Sequence, residues 1–175
     1  MLETILGPVI GVLKWFGGLF FKSRAASQAQ AREHDVALFR KGDTTVNESF
    51  LDNLLNSTLY NHWCDLPDIR AVGHFCTDFR REENQFLDKK VAEAADEAIR
   101  ALGEVRSFVG KHFFTSHMPN DSDRLFLHHE LRESPDEAQR DRYWKVLVPE
   151  LNTLIDAAWE AFKNYRATAK RRLMV

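Results

Sequence analysis

Residues 84–114 read NQFLDKKVAEAADEAIRALGEVRSFVGKHFF. Leu87, Val91, Ala94, Ala98, Leu102, Val105, Val109 and Phe113 recur at steps of three and four. That spacing lays apolar side chains along one stripe of an α-helix. A long helix with a single apolar stripe has to bury it against other elements, so this stretch predicts a helical bundle.

The segments on either side repeat the pattern. Ser134-Pro135-Asp136-Glu137 combines an N-cap, an N1 proline and an N3 glutamate, which predicts a helix start. Trp144, Val148, Leu151, Ile155, Ala158, Phe162 and Tyr165 follow in four-three alternation, and Pro149 is expected to kink or restart that helix. So short a heptad run reads as bundle packing rather than as a dimeric coiled coil. Upstream, Thr45-x-x-Glu48 forms a capping-box pattern ahead of Phe50, Leu51, Leu54 and Leu55. Pro67 opens another helix through Ile69, Val72, Cys76 and Phe79. Gly42 and Asp43 are expected to stop the helix that precedes them. Ser116 to Asp123, with Pro119, reads as a loop, and LFLHHEL at 125–131 as an extended piece with no evident partner strand. The expectation is all-α: residues 24–175 as a bundle of about five helices, preceded by a helix over 1–23 of amphipathic or transmembrane-like character.

Composition agrees with a folded chain. Its 175 residues are 44% hydrophobic and 29% charged, which excludes a disordered polymer and a multi-pass membrane protein. Two cysteines suit a reducing compartment rather than a disulfide scaffold. The net charge of −2 conceals an uneven distribution. Glu3 faces Lys14, Lys22 and Arg24 in residues 1–24, and the last thirteen residues hold Lys163, Arg166, Lys170, Arg171 and Arg172 with no acid. Between them lies a strongly acidic body, which disfavours nucleic acid as a partner.

The N-terminal run TILGPVIGVLKWFGGLFF, residues 4–21, carries Lys14 as its one charge. As a helix it would extend about 27 Å at ~1.5 Å per residue, slightly less than a ~30 Å hydrocarbon core. A start with Glu3 and bases only after the apolar run lacks the positive n-region of a secretory signal. Ile5, Leu6, Val9, Val12, Leu13, Phe16, Leu19 and Phe20 fall within one arc of about 140° on a helical projection. Gly7, Gly11, Lys14 and Gly18 lie on the opposite side, a small-residue and cationic stripe. A lone spanning helix would hold Lys14 near the bilayer centre at ~2.5–3.5 kcal/mol. Lying flat in the interface removes that cost, as does packing several copies around a wet centre through Gly7-x-x-x-Gly11. Lys22 and Arg24, with the C-terminal bases Lys163, Arg166, Lys170, Arg171 and Arg172, are the expected contacts with anionic lipid. If the helix spans, Lys22, Arg24 and Arg32 orient the body to the cytoplasmic side of the inner membrane.

Chemical motifs are sparse. His62-x-Cys64 and His74-x-Cys76 offer zinc-type ligands, but residues two apart on a helix point about 200° from each other, and Cys76 lies on an apolar stripe. No histidine has a glutamate three positions before it, which removes the di-iron bundle pattern. Hydrolase, phosphate-loop and dinucleotide motifs are absent. Small helical ribonucleases of the HEPN type use an arginine followed, after four to six residues, by a histidine. Arg106–His112 and Arg124–His129 have that spacing, and a chain of this composition contains about two such pairs by chance. His128 and His129 are adjacent and point apart on any regular element.

The sequence therefore predicts a non-enzymatic helical protein at the membrane, with no catalytic, metal or cofactor site. Its expected partners are an anionic leaflet and further copies of itself or another protein, in the manner of a self-assembling, toxin-like or defence effector. One alternative is a membrane-tethered HEPN-like ribonuclease. Another is a subunit whose N-terminal helix docks in a protein groove.

Overall fold

A computed structural model describes residues 27–115 and 123–175. Helix α1 covers 27–45 and α2 Glu48–Asp52; a π-helical turn at Asn53–Thr58 and a 3-10 turn at Leu59–Asn61 lead to strand β1, Trp63–Asp65. Helix α3, Leu66–Asp78, and α4, Lys89–His112, follow; α4 runs directly into β2, Phe113–Thr115. Strand β3, Arg124–Leu127, precedes α5, His129–Arg132, and α6, Glu137–Arg142. A second π-helical segment, Tyr143–Leu147, passes into α7, Val148–Leu173.

The pairing of α4 with α7 is the most extensive in the fold. The two run antiparallel, since Arg172 at the end of α7 bonds Asp88 at the start of α4. Ala94, Ala98 and Ala101 on α4, with Ala158 and Ala169 on α7, are buried; such small side chains bring helix axes close together. Leu102, Leu151, Ile155 and Phe162 have no exposed surface, and truncating any of them to Ala would cost about 2–5 kcal/mol. Along α1, Phe39 meets Tyr165, so α1 runs antiparallel to α7 on its other flank.

The all-α bundle is as the periodicity predicts, with one addition. Among the described residues a three-stranded antiparallel sheet, in the order β1-β3-β2, closes the end of the bundle where α4 finishes. Phe126 pairs with Trp63 on one side and Phe114 on the other. LFLHHEL thus has two partner strands. Both are three residues long, too short to show an alternating pattern.

Several boundaries differ from the sequence reading. Gly42 and Asp43 do not stop α1, which continues to residue 45 with Gly42 buried against Phe75 and Phe79. The cap of α2 is Asn47, whose side chain accepts from the Phe50 N–H at 2.8 Å. Similarly, Asp136 rather than Ser134 caps α6, while Ser134 Oγ accepts from the Asp136 N–H. Leu87 is 61% exposed because α4 begins after it, with Asp88 as the cap. Trp144 is 48% exposed for a different reason. The π segment before Pro149 inserts one residue into the turn, so Tyr143 and Leu147 take the buried places expected for Trp144 and Val148. Pro149 does restart the helix, near the N-terminus of α7 where its missing N–H costs nothing.

Candidate functional site

The two ends of the bundle are chemically different. At the first, the start of the described part of α1 lies beside the end of α7. Arg32 Nε and Nη2 donate to the Leu173 carbonyl at 3.1 and 2.8 Å, and a shallow cleft runs between Ala29, Val36 and Arg40 on α1 and Leu173–Val175. Helix carbonyls in a last turn lack intrahelical donors, so this guanidinium serves as a cap supplied by another helix. Asp35, 2% exposed, accepts the Leu87 and Asp88 N–H groups, both at 2.8 Å, and so fixes the entry to α4 at the same end.

The C-terminal bases divide into two sets here. Arg166 is turned inward, 11% exposed, with Asp43 and Glu48 as its ion-pair partners and the Phe39 and Phe162 rings beneath it. Arg172 grips Asp88 at 2.7 Å and holds that carboxyl below its usual range, with the Val91 and Lys90 N–H groups assisting against burial. Lys163 pairs with Glu160 at 2.6 Å and lies over Trp159. Lys170 and Arg171 point into solvent, where Met174 is also 78% exposed. Of the five C-terminal bases among the predicted lipid contacts, then, Lys170 and Arg171 are the exposed ones without a carboxylate partner among the described residues.

The other predicted membrane residues lie outside the described residues: Ile5, Leu6, Val9, Val12, Leu13, Phe16, Leu19, Phe20, the stripe Gly7, Gly11, Lys14 and Gly18, and the bases Lys22 and Arg24. No helix among the described residues is long and apolar enough to cross a membrane.

The far end, beside the sheet, gathers histidines and aromatic rings. His62 has left-handed backbone angles at φ 69°, and its Nδ1 lies 3.0 Å from the Tyr143 hydroxyl. His128 stacks between His112 and Phe114, with ring centroids at 5.8 and 4.6 Å. Burial lowers the pKa of all three histidines, and Arg132 adds to this at His62. The rings favour their neutral state, a packed cap for the sheet.

No known protein family, curated protein or solved structure matches the chain.

The spaced Arg–His pairs are not brought together by their side-chain contacts. Arg106 lies across Gly73 on α3, whereas His112 meets Phe108 and His128. Arg124 lies over Trp63 and pairs with Asp65, while His129 lines a separate small cleft with Phe114 and Thr115. The cysteines are likewise apart from their neighbouring histidines. Burial pushes Cys64 up to about 12 and Cys76 to about 11, with Cys76 Sγ directed at the Ile99 carbonyl. Both are core thiols, and His74 is exposed. Among the described residues no group of three metal-ligating side chains converges.

Sequence reasoning missed Asp35 and the Tyr143–His62 pair. Asp35 was findable as an acid interrupting the apolar set Val36, Leu38 and Phe39. The Tyr143–His62 contact joins residues 81 apart in the chain and leaves no local signal.

Proposed function

We propose that this chain is a non-enzymatic, membrane-associated helical protein whose first 23 residues engage an anionic leaflet on the cytoplasmic face of the inner membrane. The observation that supports this is the juxtaposition of Arg32 with Leu173. It means that the chain joins residues 1–26 to the bundle at the end carrying Lys170, Arg171 and the exposed Met174 and Val175. Lys22 and Arg24 adjoin that end in sequence. Each base near an anionic surface contributes about 1 kcal/mol, and the apolar arc from Ile5 to Phe20 supplies the burial term. A basic face and a greasy helix on one end act in the same direction.

Entry of the helix is conditional on self-assembly in this reading, because Lys14 on the Gly7–Gly11–Gly18 stripe opposes insertion of a single copy. An effector that permeabilises the membrane on assembling, toxin-like or defensive, fits that energetics. The test is dye release from phosphatidylglycerol vesicles by the full chain and by Lys14→Glu. Release that is altered by the substitution supports an assembled, Lys14-lined path. No release from either protein, or equal release from both, sinks it. Co-sedimentation of a Lys170→Glu/Arg171→Glu variant, expected to bind less and to lose its salt sensitivity, checks the basic end separately.

A further inference from the structure

A groove between α3 and α4, far from the basic end in its chemistry, has cations and no counter-ions. It encloses about 550 Å³, within the range of small-molecule sites. Arg70, His74 and Thr77 line it from α3 at helical spacing of four and three, and Gly103, Arg106, Ser107 and Gly110 from α4. Leu66, Ile69, Val109 and Leu125 form apolar walls, and no carboxylate is among the lining residues.

Arg106 lies across α3. A Cβ on Gly73 would stand 2.8 Å from Arg106 Nε, so the glycine is what lets the guanidinium cross α3. Arg80 does not line the groove but lies beside it, its Nη2 3.6 Å from where a Cβ on the lining residue Gly103 would sit. Arg81, Arg100, Arg166 and Arg172, by contrast, have carboxylate partners in Asp78, Glu104, Asp43 and Asp88. Among the described residues no carboxylate comes within ion-pairing distance of Arg70, Arg80 or Arg106. The two guanidinium charges of Arg70 and Arg106 lining one groove repel one another until an anion is seated. Forked guanidinium donors with a nearby hydroxyl suit the several oxygens of a phosphate better than the two of a carboxylate. The apolar walls suit an organic part attached to it.

We infer that this groove is a binding site for a phosphate ester, held by Arg70 and Arg106 with its organic portion against Ile69 and Val109.

The test uses the full chain. Its affinities for ATP and inorganic tripolyphosphate are measured by calorimetry, and its affinity for phosphatidic-acid vesicles, against phosphatidylcholine, by co-sedimentation. Arg70→Gln and Arg106→Gln are each expected to weaken phosphate binding about tenfold, the loss of one charge-assisted contact. Gly110→Leu fills the groove from a position with nothing within 4 Å of its Cβ, so it is expected to fold with an unchanged or raised thermal midpoint and to abolish binding. Loss confined to ATP and tripolyphosphate identifies a soluble phosphate ligand, and loss confined to the phosphatidic-acid vesicles identifies a lipid headgroup. Wild type failing to bind all three probes, or Gly110→Leu and Arg106→Gln binding them as wild type does, overturns the assignment.

Discussion

Arg32 on α1 caps the carbonyl of Leu173 at the end of α7, joining residues 141 apart in the chain through two hydrogen bonds. The αL residue Met174 closes the same turn by donating its N–H to Lys170. Arg32→Ala removes a charged donor from a carbonyl without another partner in its own helix. Hydrogen bonds to charged groups are worth about 1.5–3 kcal/mol, with the lower figure fitting this partly exposed site. Urea denaturation should show that loss, and amide exchange should accelerate across 170–175 before it does in the α4 core.

Asp35 carries a heavier share of the fold. Its two oxygens accept the N–H groups of Leu87 and Asp88, and it is buried. Asp35→Ala leaves both donors without partners, at about 1–3 kcal/mol each when buried. The expected outcome is a loss of about 2–4 kcal/mol in chemical denaturation. Asp35→Asn, which can accept one of the two bonds, should lose less.

The C-terminal bases should separate by role. Arg166→Ala takes away the partner of both Asp43 and Glu48. Because those carboxylates are partly exposed, the cost should fall below the 3–5 kcal/mol of a fully buried pair, at about 1–3 kcal/mol. Lys170→Ala and Arg171→Ala should change stability by less than about 0.5 kcal/mol, while weakening vesicle binding. Thermal melts and co-sedimentation on the same three variants distinguish packing from surface function.

Stability should also fall on mild acidification. His62, His112 and His128 lie below their ordinary value of 6.5, with burial as the first cause. Glu150 opposes the shift at His112 and Glu130 at His128, while Arg142 adds to it at both. The unfolded chain therefore binds these protons more readily than the native one. Stability is complete above about pH 6.5 and is lost as pH falls through the lowered native values. Urea midpoints measured between about pH 7.5 and 5 should decline, and a His128→Asn variant should decline less steeply. A flat profile in the wild type would contradict the buried neutral assignment.

How much of this was legible in the sequence follows from what each element depends on. The stripes of α4 and α7 are local, so Val91 through Val109 and Leu151 through Tyr165 fell where periodicity put them. Trp144 did not, because a π turn breaks the period without any residue that announces it. β1 and β2 could not be read, since three-residue strands exist only through β3. The basic end was half legible. Charge counting found Arg166 and Lys170 together, but only packing separates the buried ion pair from the exposed base. The groove arginines were invisible as a group, since Arg70 on α3 and Arg106 on α4 come to one groove only through the packing of the two helices, with Arg106 crossing Gly73.

The most direct test of the central claim is flotation of the full chain with phosphatidylglycerol-containing and phosphatidylcholine vesicles, beside a Leu13→Asp/Phe16→Asp variant of the apolar arc. The account predicts that wild type floats with the anionic vesicles and much less with the zwitterionic ones, and that the variant stays at the bottom of the gradient with its fold intact by circular dichroism. Wild type remaining at the bottom with both vesicle types, or the variant floating equally well, would contradict it.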